Sequence, residues 1–211
     1  MRESAHIVAL MGSYRRDGTV DRTVKEILSA AQAQGATTTK LDLIDHDVQF
    51  CTNCRSCCQE PGPERGRCVL DDDADAILSA LERADGVILA APVNCGDVNA
   101  RTRQLFERMI SLVYWPWGRP GPKPRRRPHT PALLVTSSAA PAVLTRLLRT
   151  PLRTLGHMAE LLGARPTDRL VVGLAGGRDP ELRPRTRRRA QRAARRLLAN
   201  VSRCRSKSAP E

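Results

Sequence analysis

The chain has 211 residues, 41% hydrophobic and 27% charged, with 3% aromatics, seven cysteines and a formal net charge of +13. That length suits one domain with a sizeable core, and no apolar run approaches the roughly 20 residues of a bilayer crossing. The charge is local: residues 181–211 carry +9 and residues 119–127 carry +5, leaving the remainder at −1, so with few aromatics for base stacking a nucleic-acid partner is not expected.

Residues 1–12 hold only the short apolar run Ile7-Val-Ala-Leu-Met11, which makes neither a signal peptide nor an anchor, and a cytoplasmic protein without membrane contact is expected. Residues 5–11 read as a buried strand, Gly12-Ser-Tyr-Arg-Arg-Asp-Gly18 as a turn, and residues 19–34 as an amphipathic helix. Residues 37–44 alternate as a second strand. An irregular connection follows, in which Cys51-Thr-Asn-Cys54-Arg-Ser-Cys57-Cys58 and then Cys68 place five cysteines within eighteen residues. The spacing Cys-x2-Cys-x2-Cys with a later Cys is one that an iron–sulfur cluster can use. In a reducing compartment such cysteines are ligands, redox groups or free thiols rather than structural disulfides.

Asp71-Asp72-Asp73 supplies an N-cap and first-turn carboxylates for a helix to residue 83. Residues 85–91 are apolar almost throughout, as a central parallel strand should be. Residues 92–97 are expected as a loop, followed by a helix through Arg103, Leu105, Phe106 and Met109. The Pro-, Gly- and Arg-rich stretch 114–130 reads as an insertion or flap. Residues 131–137 form a fourth strand, 145–162 a helix, 170–175 a fifth strand and 184–199 an arginine-rich helix. One domain is expected over 1–200, with a disordered tail at 201–211.

Five strands alternating with helices call for an α/β fold, a doubly wound parallel sheet with helices on both faces. Ligands of such sheets sit beyond the carboxyl ends of the strands, where strand order reverses. The loops after strands one, three and four are therefore the site. Ser13, Arg15, Gly18 and Thr19 in the first loop serve equally as a helix-capping turn and as an anion cradle. Pro92, Val93, Asn94, Cys95 and Gly96 offer free backbone amides suited to the edge of a flat heterocycle, or simply turn the chain into the next helix. Ser137 and Ser138 close the pocket from its other side or cap a helix. His6, His46, His129 and His157 share no ligand spacing. Cys95 is a soft packing residue or a thiol beside the ligand.

Three blocks, in this order, resemble the flavodoxin-like family of NAD(P)H-dependent FMN reductases, which includes iron–sulfur flavoproteins. They are Gly12-Ser-Tyr-Arg-Arg-Asp-Gly-Thr-Val20; Cys51-x2-Cys54-x2-Cys57 with Cys68-Val-Leu-Asp-Asp72; and Ala84-Asp-Gly-Val-Ile-Leu-Ala-Ala-Pro-Val93 leading to Arg103-Gln-Leu-Phe-Glu-Arg108. The resemblance implies a flavodoxin-like five-stranded sheet, a homodimer and FMN as cofactor. Ser13, Arg15, Gly18 and Thr19 would hold the phosphate and residues 92–96 line the isoalloxazine. NADPH or NADH would be the donor, and a quinone, flavin or other small molecule the acceptor. Val20 stands where relatives usually carry Ser or Thr, a lost phosphate hydrogen bond of about 1 kcal/mol unless Thr19 supplies it. Asn94 stands where many relatives carry Tyr. Trp115 and Trp117 are expected in the core or a dimer interface rather than on the flavin.

No catalytic side chain is expected, because the flavin carries the chemistry, and the Arg119–Arg127 loop is expected to attract the phosphates of NADPH. A [4Fe-4S] cluster on Cys51, Cys54, Cys57 and Cys68 is an alternative but not the favoured one. Ten residues separate Cys57 from Cys68 where the family motif is more compact, and Cys58 adds a competing thiol, so no metal ligand is assigned. A third reading is a non-catalytic module whose basic helix docks on an acidic partner or nucleic acid.

Overall fold

The computed structural model describes residues 4–148, 150–177 and 181–208. In chain order the elements are β1 (His6–Met11), α1 (Thr19–Gln32), β2 (Thr37–Asp42), α2 (Ala74–Glu82), β3 (Gly86–Asn94), β4 (Asp97–Val98) and α3 (Ala100–Arg108). They continue with β5 (Val113–Tyr114), β6 (Lys123–Pro124), β7 (Thr130–Ser137), α4 (Ala142–Leu148), α5 (Thr150–Leu161), β8 (Ala164–Val172) and α6 (Pro184–Ser208). The main sheet runs in the order β2-β1-β3-β7-β8 with every neighbouring pair parallel. This is the doubly wound, flavodoxin-like α/β arrangement expected.

The two faces of the sheet follow from the period of two along its strands. Leu10, Leu89 and Leu134 stand in one register row and pack with the inner sides of α2, α3 and α5. Their neighbours Ala9, Ile88 and Leu133 form the next row and pack with α1 and α6 on the other face. Because both faces are covered, β1, β3 and β7 carry almost unbroken apolar runs. On α1, Val20, Val24, Ile27, Leu28 and Ala31 make the buried stripe. On α6, Ala190, Ala193, Ala194, Leu197 and Val201 do the same, and the arginines between them face outward.

Several elements differ from expectation. The loop expected at 92–97 is the end of β3, which runs to Asn94, turns at Cys95 (φ 49°) and Gly96 (φ 85°), and pairs back as β4. Two successive positive φ values are the signature of a tight hairpin turn. The expected helix 145–162 is covered by α4 and α5, which start at Ala142 and leave only residue 149, outside the described residues, between them. The fifth strand begins at Ala164 and ends at Val172; its first half alternates between exposed and covered residues because β8 is the sheet edge, so it lacks the continuous apolar run of the inner strands. The stretch 114–130 is not a free flap: β5 and β6 pair as a ribbon packed on the cysteine segment. Residues 201–208 of the expected tail continue α6, with Val201 buried beside Gly86 and Arg205 paired to Asp85 at 2.5 Å; residues 209–211 lie outside the described residues.

One buried ion pair ties the irregular connection to the sheet. Asp72, with its side chain fully buried, accepts two hydrogen bonds from Arg108 at the end of α3; the Arg108 guanidinium also reaches the carbonyl of Gln49 at 3.0 Å and the sulfur of Cys68 at 3.4 Å. Burial alone would raise the Asp72 carboxyl. Hydrogen bonds from Arg108 and from the backbone N–H of Gln49 and Ala74 outweigh it and hold the group below its ordinary 3.8. A depressed carboxyl stabilises fully above its unfolded value, so the pair's contribution is complete above pH 3.8 and is lost as pH falls further. Asp72→Asn leaves Arg108 charged without its counter-ion and is expected to lower stability by about 3 kcal/mol in urea unfolding near neutral pH. An unchanged midpoint would remove the pair's structural role.

Candidate functional site

The loop leaving β1 is shaped by local hydrogen bonds. Ser13 is buried, and its Oγ accepts the N–H of Arg15 at 3.0 Å. Asp17 adopts a left-handed conformation (φ 57°), and its N–H donates to the Oδ2 of Asp21 at 2.8 Å. Asp21 is 1% exposed and is paired with Lys40 at 2.6 Å and Lys25 at 3.1 Å. Burial pushes its carboxyl up, but the bonds from Lys40, from the Asp17 N–H and from Lys25 pull it down further, and the net shift is downward. The loop then enters α1 through Gly18, and no side chain caps that helix. First-turn N–H groups of an uncapped helix point at whatever occupies the crevice, and the helix dipole favours an anion there.

Ser13, Arg15, Gly18, Thr19 and Val20 form one wall of a cleft of about 220 Å³. Pro92, Val93 and Asn94 form the second wall, and Ser137 and Ser138 the third. The cleft thus lies at the carboxyl ends of β1, β3 and β7, where the strand order reverses between β1 and β3. Gly12, just before the loop, lies so close to α3 that an added Cβ would stand 1.9 Å from the Thr102 hydroxyl. Cys95 and Gly96 are outside this lining, at the tip of the β3–β4 hairpin. Tyr14, Ala139 and Ala175 line the cleft without having been singled out in the sequence. Ala139 and Ala175 come there because the segments after β7 and β8 are zipped together, Leu174 N–H to Ala140 O at 3.0 Å and Ala175 N–H to Ser138 O at 2.9 Å. A larger hollow of about 690 Å³ between α6 and the turn after α1 lies at the opposite, amino ends of the strands.

The cysteine segment forms one unit with the β5–β6 ribbon. Arg55, between Cys54 and Cys57, is stacked between the rings of Trp115 and Trp117, 3.9 and 4.2 Å from their centroids, and donates to the Trp115 carbonyl at 2.5 Å. Trp117 is 66% exposed, so this pair forms neither core nor cleft wall. Arg125 donates to the carbonyls of Cys57, Glu60, Gly62 and Ser111, and Arg126 faces Glu82 at 3.3 Å. Those two arginines are engaged by the cysteine segment and α2, not held out toward a dinucleotide. No three Cys, His, Asp or Glu side chains among the described residues are arranged to hold a metal ion.

The thiols nevertheless differ in chemistry. Cys57 is pushed up to about 11, first by burial and then by the neighbouring thiols of Cys58, Cys68, Cys51 and Cys54. Cys54 is exposed and is lowered by hydrogen bonds, the largest from the Ser56 backbone N–H. Because the thiolate is the nucleophile, iodoacetamide near neutral pH is expected to label Cys54 well before Cys57, read by peptide mass spectrometry. Equal rates would contradict this ordering.

The chain is 34% identical over 106 residues to an iron–sulfur flavoprotein of Methanocaldococcus jannaschii, covering 50% of this chain and 52% of that one. A second iron–sulfur flavoprotein, from Methanosarcina thermophila, is 31% identical over 106 residues, with 50% and 53% covered. The chain thus spans about half the length of the curated relatives it matches. An NAD(P)H:quinone oxidoreductase structure from Methanothermobacter marburgensis superimposes with a TM-score of 0.69 at 17% identity, over 93% of this chain and 98% of that one. An FMN-dependent NADH-azoreductase from Bacillus anthracis, solved with FMN, gives 0.65 at 13% identity, over 91% and 99%. These structural likenesses concern the fold. The NADPH-dependent FMN reductase family matches residues 5–164, and the chain belongs to that family.

Proposed function

We propose that the protein is an FMN-dependent NAD(P)H oxidoreductase that passes electrons to a small acceptor such as a quinone or a free flavin. The observation that carries this reading is the uncapped amino end of α1 opening into the crevice where the strand order reverses. It presents unpaired donors to an anion, as the phosphate of FMN requires. The donor set suits that group: the Thr19 hydroxyl and the N–H groups of Gly18, Thr19 and Val20 would hold the phosphate, with Arg15 adding positive charge. Val20 contributes only its backbone, which leaves Thr19 as the hydroxyl donor. Pro92, Val93 and Asn94 would flank the ring system, and Ser137 and Ser138 would bound it opposite. When bound, FMN supplies hydride acceptance from the nicotinamide and onward electron transfer.

The protein's own task is therefore positioning. Asp21 holds the loop through the Asp17 N–H, and Asn99, whose side chain donates to the Gly12 carbonyl and accepts from the Thr102 hydroxyl at 2.6 Å, pins the end of β1. No acid or base among the cleft residues is assigned a proton-transfer role. The reading routes no electrons through the cysteine segment.

Anaerobic purification followed by iron and flavin quantification tests the reading. The expected result is stoichiometric FMN without a cluster, bleached by NADPH or NADH; absence of bound or bindable flavin would overturn it, and four irons per chain would restore the cluster alternative. Asp21→Asn is expected to weaken FMN at least about tenfold, equivalent to about 1.4 kcal/mol, while leaving riboflavin, which lacks the phosphate, within about twofold. An equal loss for both ligands would deny Asp21 its loop-positioning role.

A further inference from the structure

The positive charge of the molecule gathers away from the cleft, on a face built around the sheet edge. Arg165, Thr167 and Arg169 alternate outward along β8. On one side of the strand runs a groove of about 600 Å³ whose walls include Arg146 of α4, Arg153, His157 and Glu160 of α5, and Arg169. On the other side a groove of about 590 Å³ includes His129, Arg165, and Asn200, Arg203 and Lys207 of α6. Pro166 belongs to both walls, so only the edge strand separates the two grooves. Among the described residues Arg146, Arg153, Arg165, Arg169 and Lys207 take part in no ion pair, and Glu160 is the one acid in either lining. Asp168, also on β8, is turned to Arg196 at 3.4 Å. The crowding extends up α6, where burial first and then the nearby charges of Arg146 and Arg185 hold Arg189 below its ordinary value.

Cations on an edge strand deter pairing with another chain, but that function does not require those on α4, α5 and α6. A protein partner calls for apolar or aromatic anchors at the centre of the contact; neither lining contains Trp, Tyr or Phe, Leu152 and Val171 of the first are half-buried and buried, and the exposed Val143, Leu144 and Leu147 of α4 lie outside both linings. A phosphodiester backbone calls only for cations and hydrogen-bond donors. The strand from Ala164 to Arg169 spans about 17 Å at ~3.3 Å per residue, a length over which a duplex presents about ten phosphates. We propose that the β8 edge and its two flanking grooves form a binding surface for the phosphate backbone of a nucleic-acid duplex, without reading base sequence. Chain order hides this surface, because Arg146, Arg153, Arg165 and Arg169 fall outside the two segments in which the sequence concentrates its charge. The surface is independent of the flavin reading.

The test compares two full-length variants of equal net charge by fluorescence anisotropy with a labelled DNA duplex several helical turns long. One carries Arg153→Gln, Arg165→Gln, Arg169→Gln and Arg203→Gln. The other carries Arg67→Gln, Arg83→Gln, Arg103→Gln and Lys123→Gln, all exposed and outside the two grooves. The first is expected to weaken binding at least about tenfold and to flatten the slope of log K against log salt by about 3.6, while the second stays within about twofold. The single reversal Arg169→Glu, a smaller perturbation, is expected to weaken binding in the same direction with thermal unfolding unchanged. Equal losses in the two quadruple variants overturn the proposal. So does failure of the unmodified protein to bind the duplex at physiological salt, or tighter binding to poly-L-glutamate than to the duplex.

Discussion

The cleft depends on a carboxylate that faces away from it. Asp21 sits beneath the loop between β1 and α1 and takes the N–H of Asp17, the residue whose left-handed backbone turns the loop back toward the helix. A buried carboxylate is tolerable only when it is paired and hydrogen-bonded. Lys40 on β2 and Lys25 one turn along α1 meet that condition from two sides. The loop is thus fastened to the adjacent strand and to its own helix, and the first-turn N–H groups of α1 stay free for a ligand. Had Asp21 instead capped the helix, the donors that define the anion site would have been consumed.

A second constraint is the long irregular run between β2 and α2, whose backbone polar groups cannot be satisfied by secondary structure. Arginine side chains meet much of that need. Arg101 donates to the carbonyls of Leu43 and His46, Arg108 to that of Gln49, and Arg125 to those of Cys57, Glu60 and Gly62. A guanidinium with five donors in a rigid fork can serve several carbonyls at once, which an ammonium cannot do as well. Part of the chain's arginine excess is therefore architectural. The cysteines ride on this scaffold, and their differing thiol chemistry follows from where it buries or exposes them.

The remaining arginines divide by helix geometry. On α6 a stripe of Ala, Leu and Val lets the helix lie close to the sheet, which leaves most of its arginines on the outer side, with Arg189 and Arg205 half-buried. Those nearest β8 join the cations of α4, α5 and the strand itself. At the far end Arg205 is drawn to Asp85 and to the Ser4 carbonyl just before β1. The same helix thus contributes to the core, to a staple and to a charged face.

Much of this was legible in the chain itself. Continuous apolar runs at Ile7–Met11, Gly86–Ala91 and Pro131–Val135 mark inner parallel strands, because only strands covered on both faces need such runs, and the order of strands and helices leaves the loops after them as the site. Ser13, Arg15, Gly18, Thr19 and Val20, Pro92 to Asn94, and Ser137 with Ser138 meet in one cleft for that reason. What the chain alone did not reveal rests on partners distant in sequence. The edge position of β8 permits polar residues in a strand, the Arg205–Asp85 pair extends α6 through a polar segment, the β3–β4 turn carries Cys95 and Gly96 past the cleft, and Arg125 meets carbonyls more than sixty residues away. Local periodicity reports which side of an element is buried; which charges meet, and where, is decided only when the sheet brings separate segments together.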